Sequence, residues 1–247
     1  MANGGGDKDG TADRLMTTLI RWIDRRRWDP STGKEEASLH FQSLVILLTA
    51  AEVCERPEVR GAKYSSAIAA ILLATAGAEA FIHEVAQHID RCHKARDWSP
   101  DAITPSMVAA AAAVYQSAGT PLSLLDKYVA AAQALGKPFD AGSRVLKDFS
   151  RLVGLQNAIL LLGRSKTERR EEALTDELAA RGIAKAGQAG RADWFDRLQT
   201  RAVARWACRT TRAMILATVE LIPVTSLDLL REVQETCRHH RLLQVDE

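Results

Sequence analysis

Apolar and polar residues alternate along this chain with a helical period over most of its length. The clearest stretch is 143–164, SRVLKDFSRLVGLQNAILLLGR. There Val145, Phe149, Leu152, Ile159 and Leu160 recur at helical steps and fall on one side. Ser143 can cap the start, because its hydroxyl can accept from an N–H of the first turn. The run 159–162 is apolar all round, which predicts a helix end passing through a core. Two residues interrupt the pattern. Gly154 sits mid-helix and reads as a packing notch, and Gln156 puts an amide that needs partners on the apolar stripe.

The same reading predicts the rest of the chain. Residues 1–11 carry no apolar pattern and are expected to be disordered. A helix over 13–27 turns Leu15, Leu19, Trp22 and Ile23 inward, and a second covers 37–55. The longest pattern, 61–96, marks Ala67, Ile68, Ile71, Leu72, Thr75, Glu79, Ile82 and Ala86 as its inner side. Thr104-Pro105 and Thr120-Pro121 each open a further helix, a hydroxyl cap followed by a proline that misses no N–H. Residues 167–181 form a polar helix whose internal acid–base pairs predict a solvated surface. GIAKAGQAG at 182–190 reads as a flexible connector. A long helix over 191–221 places Phe195, Leu198, Ala202, Trp206, Ala213 and Ala217 on its apolar side, and 226–240 forms the last helix. No strand alternation is present. The prediction is an all-α fold of about nine helices, with residues 12–247 as one domain.

At 247 residues the chain is long enough for a sizeable core. Its net charge of +2 confines any surface for a polyanion to a local patch. Cys54, Cys92, Cys208 and Cys237 lack paired spacing, and the polar N-terminus lacks a secretory pattern. Both point to reduced thiols in a cytoplasmic protein. The longest apolar runs, such as 44–51, fall short of the roughly 20 residues that cross a bilayer, so no membrane association is expected.

Candidate chemistry is sparse. HEVAQH at 83–88 resembles a zinc-protease motif, but His83 and His88 are five residues apart and diverge around a helix. His88 with Cys92, and Cys237 with His239 and His240, are ordinary histidines and thiols on this reading, and neither a metal nor a cofactor is expected. No phosphate loop, dinucleotide fingerprint or nucleophile elbow occurs. More informative is the stripe Arg197, Arg201, Arg205 and Arg209, with Arg212 following. Four-residue steps keep these side chains on a slowly winding face, with few acids beside them. The face is either solvated or a nucleic-acid surface tracking phosphates. Arg25, Arg26 and Arg27, between Trp22 and Trp28, form a weaker basic cluster.

Three segments carry a family resemblance across residues 62–223. The first is the small-residue apolar run leading to Glu79-Ala80-Phe81-Ile82-His83-Glu84. The second is Lys147, Asp148 and Leu152 followed by Gln156-Asn157-Ala158-Ile159-Leu160-Leu161. The third is Val203-Ala204-Arg205-Trp206-Ala207, with Ile222-Pro223 after it. Together they resemble the large bacterial HEPN-domain proteins. That resemblance implies a HEPN-like helical bundle, often a homodimer. In its active members an Arg-x(4–6)-His motif from each subunit meets at the interface and cuts RNA without a metal, in toxin–antitoxin or phage-defence settings.

The chain departs from that motif at both essential positions. Gln156 stands where the arginine belongs and Leu161 where the histidine belongs, while Asn157 is kept. Glutamine brings no charge to a phosphate, and leucine moves no proton. The expectation is a non-catalytic HEPN-like protein for binding or assembly, a homodimer with RNA or a cognate protein as partner. Two alternatives stand beside it: a ribonuclease with a substituted site, in which His83 replaces the missing base, and a purely structural helical scaffold.

Overall fold

The computed structural model describes residues 42–55, 66–95, 103–115, 122–161, 168–187 and 193–222. They form eight helices: α1 (Gln42–Glu55), α2 (Ser66–Ala95), α3 (Pro105–Tyr115), α4 (Leu124–Ala134), α5 (Arg144–Leu160), α6 (Glu168–Ala180), α7 (Trp194–Arg197) and α8 (Arg201–Val219). No strand occurs among the described residues, so the class is all-α. All eight belong to one compact unit, Phe41–Glu247. The expected disordered lead, the helices over 13–27 and 226–240, and the basic cluster at Arg25 to Arg27 lie outside the described residues.

The bundle is built on α2, which packs against α1, α3, α5 and α8. Gly77 sets its distance from α1, because a Cβ there would come within 2.7 Å of the Leu47 side chain. Further along α2, Glu84 reaches the N-terminus of α1, accepting from Ser43 N at 3.2 Å and Ser43 Oγ at 2.6 Å. A carboxylate there satisfies an end-of-helix donor and meets the positive end of the helix dipole. From α4, the buried Tyr128 hydroxyl donates to the Ala78 carbonyl at 2.8 Å, and its ring meets Phe149 of α5 edge-on at 5.2 Å. The stretch Ser66–Arg91 of α2 is long and apolar enough to cross a bilayer, which the short uninterrupted runs do not suggest. More than half of its most apolar window is buried inside the bundle.

In α5 the expected cap is present, with Ser143 Oγ accepting from Leu146 N at 3.3 Å. Phe149, Leu152 and Leu155 are fully buried. The expectation fails at the other end. Leu160 is the last helical residue and Leu161 its cap, and they are 62% and 48% exposed. A run that is apolar on every side carries no phase, so its pattern does not separate a buried exit from an exposed one. Gly154 is the notch it resembled: a Cβ there would stand 3.3 Å from Leu174 Cδ1 of α6.

The polar helix α6 is not a free solvated surface. Glu171, Thr175 and Leu178 are buried, and its acids pair with neighbouring helices. Glu177 takes the Arg151 guanidinium of α5, and Asp176 takes Arg197 of α7 at 2.7 Å. Beyond α6, Gly182 adopts φ +71°, and Ile183 N donates back to Leu178 O at 2.9 Å. That is the left-handed glycine stop that closes a helix end. The segment expected to be a flexible connector is tied down as far as Gly187. Lys185 N donates to Arg197 O, Arg197 Nε donates to Lys185 O, each at 3.0 Å, and Gly187 lies against the Arg197 guanidinium. The connector itself contributes only backbone groups to those ties, so its own side-chain composition could not announce them.

The long helix expected over 191–221 is divided. Thr200 is extended and starts α8 as its N-cap, accepting from Val203 N at 3.1 Å while donating to Ile183 O at 3.0 Å. The division changes the buried face. Val203, Ala204, Trp206, Ala207, Met214 and Ile215 point inward, whereas Ala202 is exposed and Phe195 only half-buried. A phase counted from Phe195 and Leu198 does not carry across a break in the helix.

Candidate functional site

The Glu79-to-Glu84 pattern carries a cluster of interhelical contacts. Phe81 is buried, Glu84 holds the start of α1, and Glu79 and His83 meet Lys127 of α4. Lys127 Nζ donates to Glu79 Oε1 at 2.6 Å and to His83 Nε2 at 3.0 Å. An ammonium has no lone pair, so His83 Nε2 accepts and the ring proton belongs on Nδ1. Burial lowers the His83 pKa, the Lys127 charge lowers it further, and Glu79 opposes both. The imidazole is therefore neutral near pH 7. Tyr115 of α3 completes the cluster, its ring 5.2 Å from the His83 ring and its hydroxyl donating to the His83 carbonyl at 3.1 Å. Neither Lys127 nor Tyr115 stands out in the sequence. Their partners lie 44 and 32 residues away, and no local spacing links them.

The motif positions on α5 form a different surface. Gln156 is half-buried, Asn157 is exposed, and Leu161 caps the helix by donating its N–H to Asn157 O at 3.0 Å. Among the described residues no hydrogen bond joins Gln156, Asn157 or Leu161 to the His83 cluster. Asp148, from the lead-in to the motif, is a structural anchor. Arg181 holds both of its oxygens, while Arg151 and Arg144 lie at 3.1 and 3.5 Å. Burial alone would raise the Asp148 pKa, but these guanidiniums outweigh it and lower the pKa.

Of the arginine stripe, Arg201, Arg205 and Arg209 are exposed on α8. Arg197 is not on that face. It belongs to α7, is only 6% exposed, and is held by Asp176 and the Lys185 carbonyl. The break at Thr200 is what removes it from the stripe.

Two further features lie apart from these groups. Cys54 of α1 and Cys208 of α8 face each other with their sulfurs 3.4 Å apart. Their mutual hydrogen bond, together with burial, raises the Cys208 pKa. A small apolar cleft lies between α2, α3, α4 and the end of α8, lined by residues such as Phe81, Met107, Val114 and Ile222. Among its described lining residues the one hydroxyl, on Thr218, donates to Met214 O at 2.8 Å. Among the described residues no group of three or more His, Cys, Asp or Glu is placed to hold a metal ion.

No protein-family model, curated protein or solved structure matches the chain. The HEPN resemblance accordingly rests on the short segments that carry it.

Proposed function

We propose that this chain is a non-catalytic, HEPN-like module for binding and assembly. On this reading it is a cytoplasmic homodimer that takes RNA or a cognate protein as partner in a toxin–antitoxin or phage-defence setting. The setting and the partner classes come with the family resemblance, which is a fold-level analogy. The observation that carries the proposal is the end of α5. Gln156 and Leu161 stand where a nuclease of this kind would hold its cation and its base, and neither is ionisable. Two adjacent leucines, 62% and 48% exposed, lie there, which suits a surface closed by a second subunit. Light scattering of the purified chain at micromolar concentration should give a dimer mass. Leu160→Arg with Leu161→Arg should shift it to a monomer with unchanged helicity. A wild-type monomer at every concentration would remove this reading.

One observation favours a second reading, a ribonuclease with a substituted site. The cluster of Glu79, His83 and Lys127 sets a neutral imidazole beside an ammonium, a base and a cation of the kinds that phosphodiester cleavage uses. Two facts weigh against it. The accepting nitrogen of His83 is occupied by Lys127, and the Lys127 charge is matched by Glu79. Incubation with single-stranded RNA decides between them. Intact RNA supports the binding module, and cleavage that disappears in both His83→Ala and Lys127→Ala establishes the second reading.

A further inference from the structure

The geometry points to Cys54 and Cys208 as a reversible disulfide site, closed by exchange with a low-molecular-weight disulfide, that staples α1 to α8. The sulfurs are 3.4 Å apart, and a disulfide bond needs them at about 2.05 Å. Side-chain rotation can supply a movement of that size without unwinding either helix. Both residues sit within regular helices, Cys54 in the last turn of α1 and Cys208 inside α8, so the approach does not depend on a loop. The helices already pack together, which keeps the pair in place while the bond is open.

Accessibility sets the order of events. Cys208 is half-buried and Cys54 is only 3% exposed. Cys208 is the sulfur that an incoming reagent can meet. Its thiolate attacks one sulfur of the small disulfide, forms a mixed disulfide and expels one small thiolate. The Cys54 thiolate then attacks Cys208 Sγ and expels the second. The two protons lost by the protein thiols end on the two released small thiols. The net change is one protein disulfide made, one small disulfide reduced and two small thiols formed. The raised Cys208 pKa slows the first attack at neutral pH and leaves the end point unchanged.

The linked residues are 154 positions apart, so the bond closes a long loop of the unfolded chain. Such a closure constrains the unfolded state strongly. In the folded state it fixes α8, which carries Arg201, Arg205 and Arg209, against α1.

The test uses the full chain with Cys92→Ser and Cys237→Ser, so that only the pair in question remains. The protein is brought to equilibrium in mixtures of reduced and oxidised glutathione, quenched in acid, alkylated, digested and analysed by mass spectrometry. The expected product is a Cys54–Cys208 linked peptide that reverts on adding reduced thiol. A rise in Tm of about 5–10 °C over the reduced form should accompany it. The same treatment of a chain with Cys208→Ser should give neither the link nor the rise. Alkylation of both thiols at the most oxidising ratio would overturn the proposal. So would glutathione remaining on Cys208 without closure, or an equal Tm rise in the Cys208→Ser chain.

Discussion

Arg181 grips Asp148 with two parallel hydrogen bonds, at 2.6 and 2.9 Å, and so clamps the end of α6 to the first half of α5. The pair is buried on the carboxylate side and half-open on the guanidinium side. Removing the charge would leave Arg181 facing an amide that can accept at only one oxygen. Asp148→Asn should therefore cost about 2 kcal/mol, measured by urea unfolding at pH 7. Because the folded Asp148 pKa is lowered, this stability is present above the unfolded carboxyl range near pH 4 and lost as pH falls through the folded value. The gap between wild type and variant should close in acid. A gap that stays constant down to pH 2 would refute the electrostatic account.

His88 titrates with the opposite chemistry and in a different window. It is almost fully buried, and burial, aided by the Arg91 charge, lowers its pKa from 6.5 to about 4. Its neutral form is the one the fold accepts. As pH falls below 6.5 the unfolded ring takes a proton and the folded ring does not, so stability drops between pH 6.5 and about 4 and is flat above. The loss should be about 3 kcal/mol at most. His88→Gln, which cannot titrate, should flatten the unfolding free energy across that window. An unchanged slope would show that other groups carry it.

The two helical glycines on α2 and α5 should respond in opposite ways to alanine. At Gly77 a new Cβ would strike the Leu47 side chain at 2.7 Å and approach Ser43 O at 3.3 Å. Backbone and a packed neighbour both stand in the way, so Gly77→Ala should destabilise by about 1–3 kcal/mol. At Gly154 the obstacle is one methyl of Leu174 at 3.3 Å, which can shift by a few tenths of an ångström. Gain of helix propensity is worth about 1 kcal/mol, so Gly154→Ala should be neutral to mildly stabilising. Thermal unfolding of the two variants side by side tests the contrast, and it fails if both lose stability alike.

If α8 tracks phosphates, its three exposed arginines and not Arg197 should carry the effect. Replacing Arg201, Arg205 and Arg209 by Gln should weaken binding to single-stranded RNA of any sequence. The slope of log affinity against log salt should shrink by about 0.7 for each phosphate that the variant leaves unneutralised. Arg197→Gln should instead lower Tm, because it strips Asp176 and the 182–187 strap of a buried partner. Salt titrations that are identical for wild type and the triple variant would exclude this face as the RNA surface.

Much of the helical order is legible in the sequence. Hydrophobic period places α1, α2 and α5, and side-chain caps place the starts of α3 and α5, because capping is a local exchange of hydrogen bonds, whereas α4 starts at Leu124 with Ser123 as its cap and not at Thr120-Pro121. What spacing hides is non-local. The gap at Thr200 is held partly by its bond to the Ile183 carbonyl, 17 residues earlier. The α6 charges look self-paired along their own helix and are claimed by Arg151 and Arg197 in space. Lys127 gains its partners only once α4 lies against α2. The cysteines, scattered in order, are brought together at Cys54 and Cys208 by packing that no spacing rule encodes.

The joint at Leu198–Thr200 gives the two ends of this region separate bearings. In an unbroken helix one inserted residue would swing everything downstream by about 100° around the axis. Here Thr200 starts a fresh hydrogen-bond ladder, and the buried face of α8 sets its own azimuth. Sequence drift between Arg197 and Thr200 would be absorbed locally, leaving the anchorage of α7 and the compass direction of Arg201, Arg205 and Arg209 to be tuned one without the other.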